Sequence, residues 1–257
     1  MKAKDRIIVA LDVDAPEKAS ELVRELKDYV GCFKIGLQFI TAMLRSIISP
    51  EAEELAVSNL RSVRRLFTDL GGNILWDGKF DDIPNTIGDA SKEVVKIGVR
   101  MLNVHASAGI KAMRAAVLNR GDSRVLAVTV LTSLEENNAN LIFGAPSKAK
   151  VLQFARDAKH AGCYGVICSS QELKLLCDEE EFKDFFKITP GIRPKWFKKK
   201  DDQSRKMTPG EAIKAGADYL VIGRPIRKPP EKIGSPVDAA KKIAEEIAQA
   251  LEEKGGE

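Results

Sequence analysis

The chain has few of the usual soft metal ligands: two histidines and four cysteines in 257 residues. Cys32, Cys163, Cys168 and Cys177 form no CxxC pair and keep no metal-type spacing from His105 or His160. They read as buried free thiols of a reducing compartment. No apolar stretch approaches the roughly 20 residues that cross a bilayer. The opening MKAKDRIIVALDVD passes from lysines straight into a short β-branched segment, without the apolar core and small-residue cleavage site of a signal peptide. A soluble, cytoplasmic protein with no membrane partner is expected.

Charge of one sign is missing too. Forty-one basic residues face 37 acidic ones, a net charge of +4 that suits anionic small ligands. It supplies no concentrated basic face, so no nucleic-acid partner is expected. Ser91, Ser107 and Ser169 have no paired base at recognisable spacing, which leaves a hydrolase triad without support. The first strand candidate is followed by no GxGxxG, which argues against a doubly wound dinucleotide fold. Neither a Gly/Ser linker nor a strong internal repeat divides the chain, so one domain over 1–257 is expected.

What is present is an alternation. Short β-branched runs at 6–12, 32–36, 73–79, 100–106, 124–131, 164–169, 185–190 and 218–223 are separated by segments with helical periodicity. Pro16, Pro84, Pro146 and Pro209 stand near helix starts, where a missing N–H costs little. Eight strand–helix units at this length predict a (β/α)8 barrel, with an extra helix or helical pair in 45–70 after the second strand.

Function in such a barrel collects at the C-terminal strand ends. There the sequence offers Asp12, Lys34, Asp77-Gly78-Lys79, His105, Leu131-Thr132-Ser133, Cys168-Ser169, Thr189-Pro190 and Gly223-Arg224. The stretch WDGKFDDIPNT (76–86) is the densest in charge. Residues two apart on a strand share a face, so Asp77 and Lys79 point together into the mouth while Gly78 faces the helices. Lys34 can reach the same space. Singly, each position has a plainer explanation. Asp82 suits a helix N-cap, Asp12 a solvated strand end, and an Asp–Lys pair a surface ion pair of little worth. Their joint occurrence at three successive strand ends favours a built cleft.

DxKxxD, extended as DGKFDDIPNT, resembles the signature of the orotidine 5'-monophosphate decarboxylase family. The other motifs follow in that family's order: ALD, FKIG, NVHA, VTVLTS, TPGIRP, DQSRKMTP and DYLVIGRP, covering nearly the whole chain. The resemblance implies decarboxylation of orotidine monophosphate to UMP, the last step of de novo pyrimidine synthesis, with no metal or organic cofactor. It implies that Lys79 donates a proton to C6 of the pyrimidine, with Lys34, Asp77 and Asp82 completing its charged network. Asp82, with Thr86, would serve the other subunit's active site, which makes the protein a homodimer.

For binding, the resemblance assigns Asp12 and Lys34 to the ribose hydroxyls and Thr132 to the pyrimidine edge. Arg193, Gln203, Gly223 and Arg224 fall to the phosphate, and Pro190 joins the substrate-binding set. Trp196 and Phe197 would help a closing loop exclude water, whereas Lys198, Lys199 and Lys200 read as solvated. His105 reads as a hydrogen-bonded structural residue and His160 as exposed. Gly78 departs from the apolar residue frequent in the family at that place.

Two rivals are weighed. Mg2+-dependent relatives that share DxKxxD, such as 3-keto-L-gulonate 6-phosphate decarboxylase and hexulose 6-phosphate synthase, carry a glutamate at the second strand. Here that place holds Lys34, and an ammonium has no lone pair for a metal. A silent phosphate-binding barrel is the other rival. Against it stand four charges converging in one cleft, a costly arrangement without a task.

Overall fold

A computed structural model describes residues 1–49, 55–197 and 207–255. Eight parallel strands close into a barrel in sequence order: β1 (Ile7–Ala10), β2 (Cys32–Gly36), β3 (Ile74–Phe80), β4 (Met101–His105), β5 (Arg124–Val128), β6 (Gly165–Ile167), β7 (Phe186–Thr189) and β8 (Tyr219–Ile222). β8 returns to β1 through Ile8 opposite Val221.

Around the barrel, in chain order, lie α1 (Pro16–Leu26), α2 (Leu37–Ile48), α3 (Ala56–Leu70), α4 (Pro84–Lys96), α5 (Ile110–Leu118) and α6 (Glu136–Phe143). They continue with α7 (Ser147–Ala161), α8 (Leu173–Cys177), α9 (Pro209–Lys214), α10 (Arg224–Arg227) and α11 (Pro236–Gly255). The segment after β2 is the helical pair α2–α3, as expected. A second pair, α6–α7, follows β5 and was not anticipated. No helix among the described residues is long and apolar enough to cross a membrane.

Local chemistry explains the helix boundaries. Proline opens α1, α4 and α9, where its fixed φ suits the first turn. At α9 the Thr208 side chain accepts from Glu211 N at 3.2 Å while Glu211 accepts from Thr208 N at 2.9 Å, a reciprocal capping box. Buried Ala19, Val23 and Leu26 give α1 one apolar stripe toward the barrel.

Strand alternation sorts the core into two clusters. Ile7, Val9, Phe33 and Ile35 face outward into the layer shared with the helices. Ile8, Ala10, Cys32, Leu75, Met101, Leu126 and Ile188 fill the barrel interior. Burial pushes the thiols of Cys32 and Cys163 up to about 12, so neither is a ready nucleophile. All four cysteines are free, but Cys177 is exposed, which corrects the expectation that all would be buried.

β2 matches its apolar run and β3 passes the end of its own by one residue, but other strands stop short of theirs. β1 ends at Ala10, two residues before Asp12, and β5 ends at Val128, three before Leu131. Asp12 and Thr132 therefore stand just past the ladder, whereas Lys34, Asp77 and Lys79 lie within β2 and β3, above an interior closed by Ala10, Leu75 and Ile188.

Candidate active site

β3 is where the barrel departs from regularity. Leu75 and Trp76 pair with Met101 and Leu102 of β4, and pairing resumes only at Phe80 opposite Val104. Lys79 lies in this gap with φ +49°, the one non-glycine residue with positive φ among the described residues. A bulky side chain in the left-handed region is an outlier that its surroundings must hold. Gly78 is on the outer side with Trp76 and Phe80. A Cβ there would come within 2.9 Å of the Trp76 indole nitrogen and the Phe80 ring, so the apolar residue of the family's usual motif would not fit this packing.

The side chains that β3 presents form a chain of contacts with those of β2 and β4. Lys79 Nζ donates to Asp77 Oδ1 at 2.7 Å, and Lys34 Nζ lies 2.9 Å from Asp77 Oδ2. Lys34 also donates to Asp12 Oδ1 at 3.1 Å. The Asn103 amide adds a 2.6 Å bond to Asp77 Oδ1, and its oxygen accepts the Lys79 backbone N–H at 2.8 Å. Asp77 is 5% exposed and Asn103 fully buried.

Burial alone would favour the neutral form of each partner, and charge pairing outweighs it. For Lys34, desolvation pulls the pKa down, but the carboxylates of Asp77 and Asp12 leave it raised. Desolvation pushes Asp77 up, but Lys34 and Lys79 leave it below the usual carboxylate value.

These groups line one cavity of about 480 Å3 at the C-terminal end of the barrel. Asp12, Lys34, Asp77, Lys79, Thr132, Pro190, Arg193, Gly223 and Arg224 all face it. Opposite the charged cluster its wall is apolar, with Val128, Val130 and Ile167. The cavity has the size and mixed lining of a small-ligand site.

Two of the anticipated residues stand apart from this cavity. Asp82 and Thr86 are exposed at the start of α4 and do not line the cavity of their own chain. Asp82 is not the N-cap either: that position is Ile83, whose N–H bonds to Asp82 Oδ1 at 2.7 Å. Gln203 lies outside the described residues, as do Lys198, Lys199 and Lys200. His105 is half-buried with its pKa lowered, mainly by desolvation and against the pull of Asp81, while His160 is exposed.

Sequence reasoning overlooked Asn103 and Arg227. Asn103 sits between Met101 and His105 at strand period, so alternation alone places it on the inward face. Arg227 follows Arg224 by three residues on α10, the spacing of one helix face. It donates to the Asp12 carbonyl at 2.6 Å and lines the same cavity, and burial lowers its pKa.

Residues 5–243 match the model of the Orotidine 5'-phosphate decarboxylase / HUMPS family. The chain is 42% identical to the orotidine 5'-phosphate decarboxylase of Moorella thermoacetica, over 96% of this chain and 94% of that one. It is 39% identical to the enzyme of the same name from Heliobacterium modesticaldum, over 98% and 99%. Among solved structures, orotidine 5'-phosphate decarboxylase from Lactobacillus acidophilus superposes with a TM-score of 0.72 at 28% identity, covering 94% of this chain and 98% of that one. With a model match over most of its length and relatives near 40% identity end to end, this chain belongs to the Orotidine 5'-phosphate decarboxylase / HUMPS family.

Proposed function

We propose that this chain is an orotidine 5'-phosphate decarboxylase, a carboxy-lyase that forms UMP at the end of de novo pyrimidine synthesis. The observation that carries this reading is the Lys34–Asp77–Lys79 chain of contacts, closed within 2.9 Å at the mouth of the barrel. Loss of CO2 from C6 leaves an electron pair that the pyrimidine ring cannot delocalise. The enzyme must then supply on the order of 20 kcal/mol of transition-state stabilisation. An ammonium fixed where that charge develops meets it without reorganising, and it discriminates between transition state and substrate. Lys79 takes this part and then delivers its proton to C6. Asp77, held ionised by two lysines, sits beside the substrate carboxylate and anchors both cations.

At the other end of the cavity, Arg193, Gly223 and Arg224 take the phosphate, and the family resemblance assigns Gln203 to the same group. A guanidinium fork beside backbone N–H groups after strands seven and eight matches a dianion. Asp12 and Lys34 take the ribose hydroxyls, Thr132 the pyrimidine edge, and Pro190 contributes to the wall. The reaction runs without metal, because Lys34 occupies the place where the Mg2+-using relatives carry a glutamate, and an ammonium cannot ligate. Asp82 and Thr86, exposed and outside their own chain's cavity, complete the site of a second copy in a homodimer.

The test is incubation of metal-stripped protein with orotidine 5'-phosphate, following the loss of absorbance and the appearance of UMP. Full turnover in chelator, abolished by Lys79→Ala, is expected. Absence of turnover, or turnover that needs Mg2+, overturns the reading. Mixing inactive Lys79→Ala and Asp82→Ala proteins under subunit exchange should restore some activity through hybrid dimers with one intact site. No recovery would refute shared sites.

A further inference from the structure

We propose that Asn103 is a positioning residue for Lys79 and Asp77. One buried amide holds the left-handed backbone of the lysine and the orientation of the carboxylate together, and so aims the ammonium. The inference rests on the decarboxylase reading for its kinetic consequence, but not for its geometry.

Four observations converge on it. The ladder between β3 and β4 is broken from Trp76 to Phe80, so the backbone of β4 offers the Lys79 N–H no regular partner. Asn103 Oδ1 takes that N–H at 2.8 Å. Its Nδ2 reaches Asp77 Oδ1 at 2.6 Å, the same oxygen that receives Lys79 Nζ at 2.7 Å. Lys79 alone among described non-glycine residues has a positive φ, a conformation that persists only where neighbours over-determine it.

The orientation of the amide is settled by its partners. A backbone N–H can only donate and an ionised carboxylate can only accept, so the oxygen must face Lys79 and the NH2 must face Asp77. Asn is thus the side chain that supplies one acceptor and one donor at this spacing. Leucine of similar volume supplies neither. Aspartate keeps the acceptor, but it loses the donor and sets a second carboxylate against Asp77.

Without the amide, the Lys79 backbone is free to relax toward ordinary strand φ. Its ammonium then leaves the position that Asp77 defines. Misplacement of a reacting group by about 1 Å costs about 100-fold in rate. Arg193, Gly223 and Arg224 are untouched, so ground-state binding should survive.

The experiment compares Asn103→Leu and Asn103→Asp with the wild type. For Asn103→Leu, kcat should fall about 100-fold while KM stays within about threefold, at a ratio to wild type that does not change with pH. For Asn103→Asp the ratio should recover as pH falls. A protonated carboxyl at 103 regains a donor for Asp77 while its carbonyl still accepts from Lys79, and its nearness to Asp77 raises the pH at which it takes the proton. A crystal structure of Asn103→Leu should show Lys79 at negative φ.

Wild-type kcat in Asn103→Leu, or a flat pH ratio in Asn103→Asp, overturns the proposal. If Asn103→Leu does not fold, the isosteric Asn103→Asp and its pH profile decide alone. If the wild type itself does not turn over orotidine 5'-phosphate, the decarboxylase reading fails instead. The positioning claim then stands or falls on the φ of Lys79 in crystals of the variants.

Discussion

The two ends of the cavity are made from different material. At the reaction end, Lys34, Asp77, Lys79 and Asn103 all come from strands, and each is tied to another of the set by a contact of 2.6 to 2.9 Å. At the proposed phosphate end, Arg193 and Gly223 stand on connections beyond β7 and β8, and Arg224 opens the four-residue helix α10. Strand-borne charges are preorganised before any ligand arrives, as electrostatic catalysis requires. A rim of loops can instead open to admit a ligand and close over it. The contrast predicts that damage at one end lowers kcat, and damage at the other raises KM.

The largest effect is expected from Asp77→Asn. Two cations lose their shared counter-charge, and kcat should fall by about 10²–10³-fold with little change in KM. Folding stability should also fall, by about 1–3 kcal/mol, because a buried charged group loses its partner. The pH dependence sharpens the test. The folded pKa of Asp77 is depressed, so its contribution is present above the unfolded value near ~3.9 and is lost as pH falls through the lower folded value. Lys34 is raised, so its contribution is present below ~10.4 and is lost as pH climbs through its folded value. Urea unfolding should thus show a stability gap between wild type and Asp77→Asn at pH 7 that shrinks below about pH 4. A constant gap across that range would mean that Asp77 is not stabilised as a carboxylate.

Arg224→Ala probes the other end. Loss of a charge-assisted contact to a dianion should raise KM about 10²-fold, with kcat falling less. Should Arg224→Ala and Asp77→Asn divide their losses between kcat and KM in the same way, the two-ended picture fails.

How much of this was legible differs between the same two ends. The barrel followed from eight β-branched runs, since strand and helix periods are local properties of the chain. The inward face shared by Asp77 and Lys79 followed from the period of two, and their contact at 2.7 Å agrees with it. The left-handed backbone of Lys79 did not follow, because it depends on an amide 24 residues further along. No propensity of the DGK stretch announces it. Asn103 could have been picked out by alternation, but a buried asparagine on an inward face carries no charge to draw notice. Asp82 drew notice as a charge and as a helix-cap candidate, but its place at a second copy's site, and Thr86 altogether, came only from resemblance to a family motif, because a contact between copies leaves no periodic mark in the chain that makes it.

Gly36 gives the smallest and most discriminating effect. It ends β2 opposite Asp77 of β3, with φ −105° and ψ 176°, which alanine adopts without strain. A Cβ there would lie 2.5 Å from Lys34 Nζ, and 3.5 Å from carboxylate oxygens of both Asp12 and Asp77. The obstacle is the end of a flexible side chain, so Gly36→Ala can be accommodated by moving the ammonium while the backbone stays in place. Stability should therefore change by less than about 1 kcal/mol, since the residual gain in backbone entropy offsets the displaced contact. Activity should fall about tenfold, because Lys34 can no longer touch Asp12 and Asp77 at once, and Asp77 loses one of the two cations that orient it. A melting curve together with steady-state kinetics separates the outcomes. If activity is unchanged, the Lys34 bridge between Asp12 and Asp77 contributes nothing to turnover, and the reaction end reduces to Asp77, Lys79 and Asn103. If stability falls by several kcal/mol with activity, Gly36 serves the strand rather than the site, and the contrast between a rigid reaction end and an adaptable rim loses its best witness.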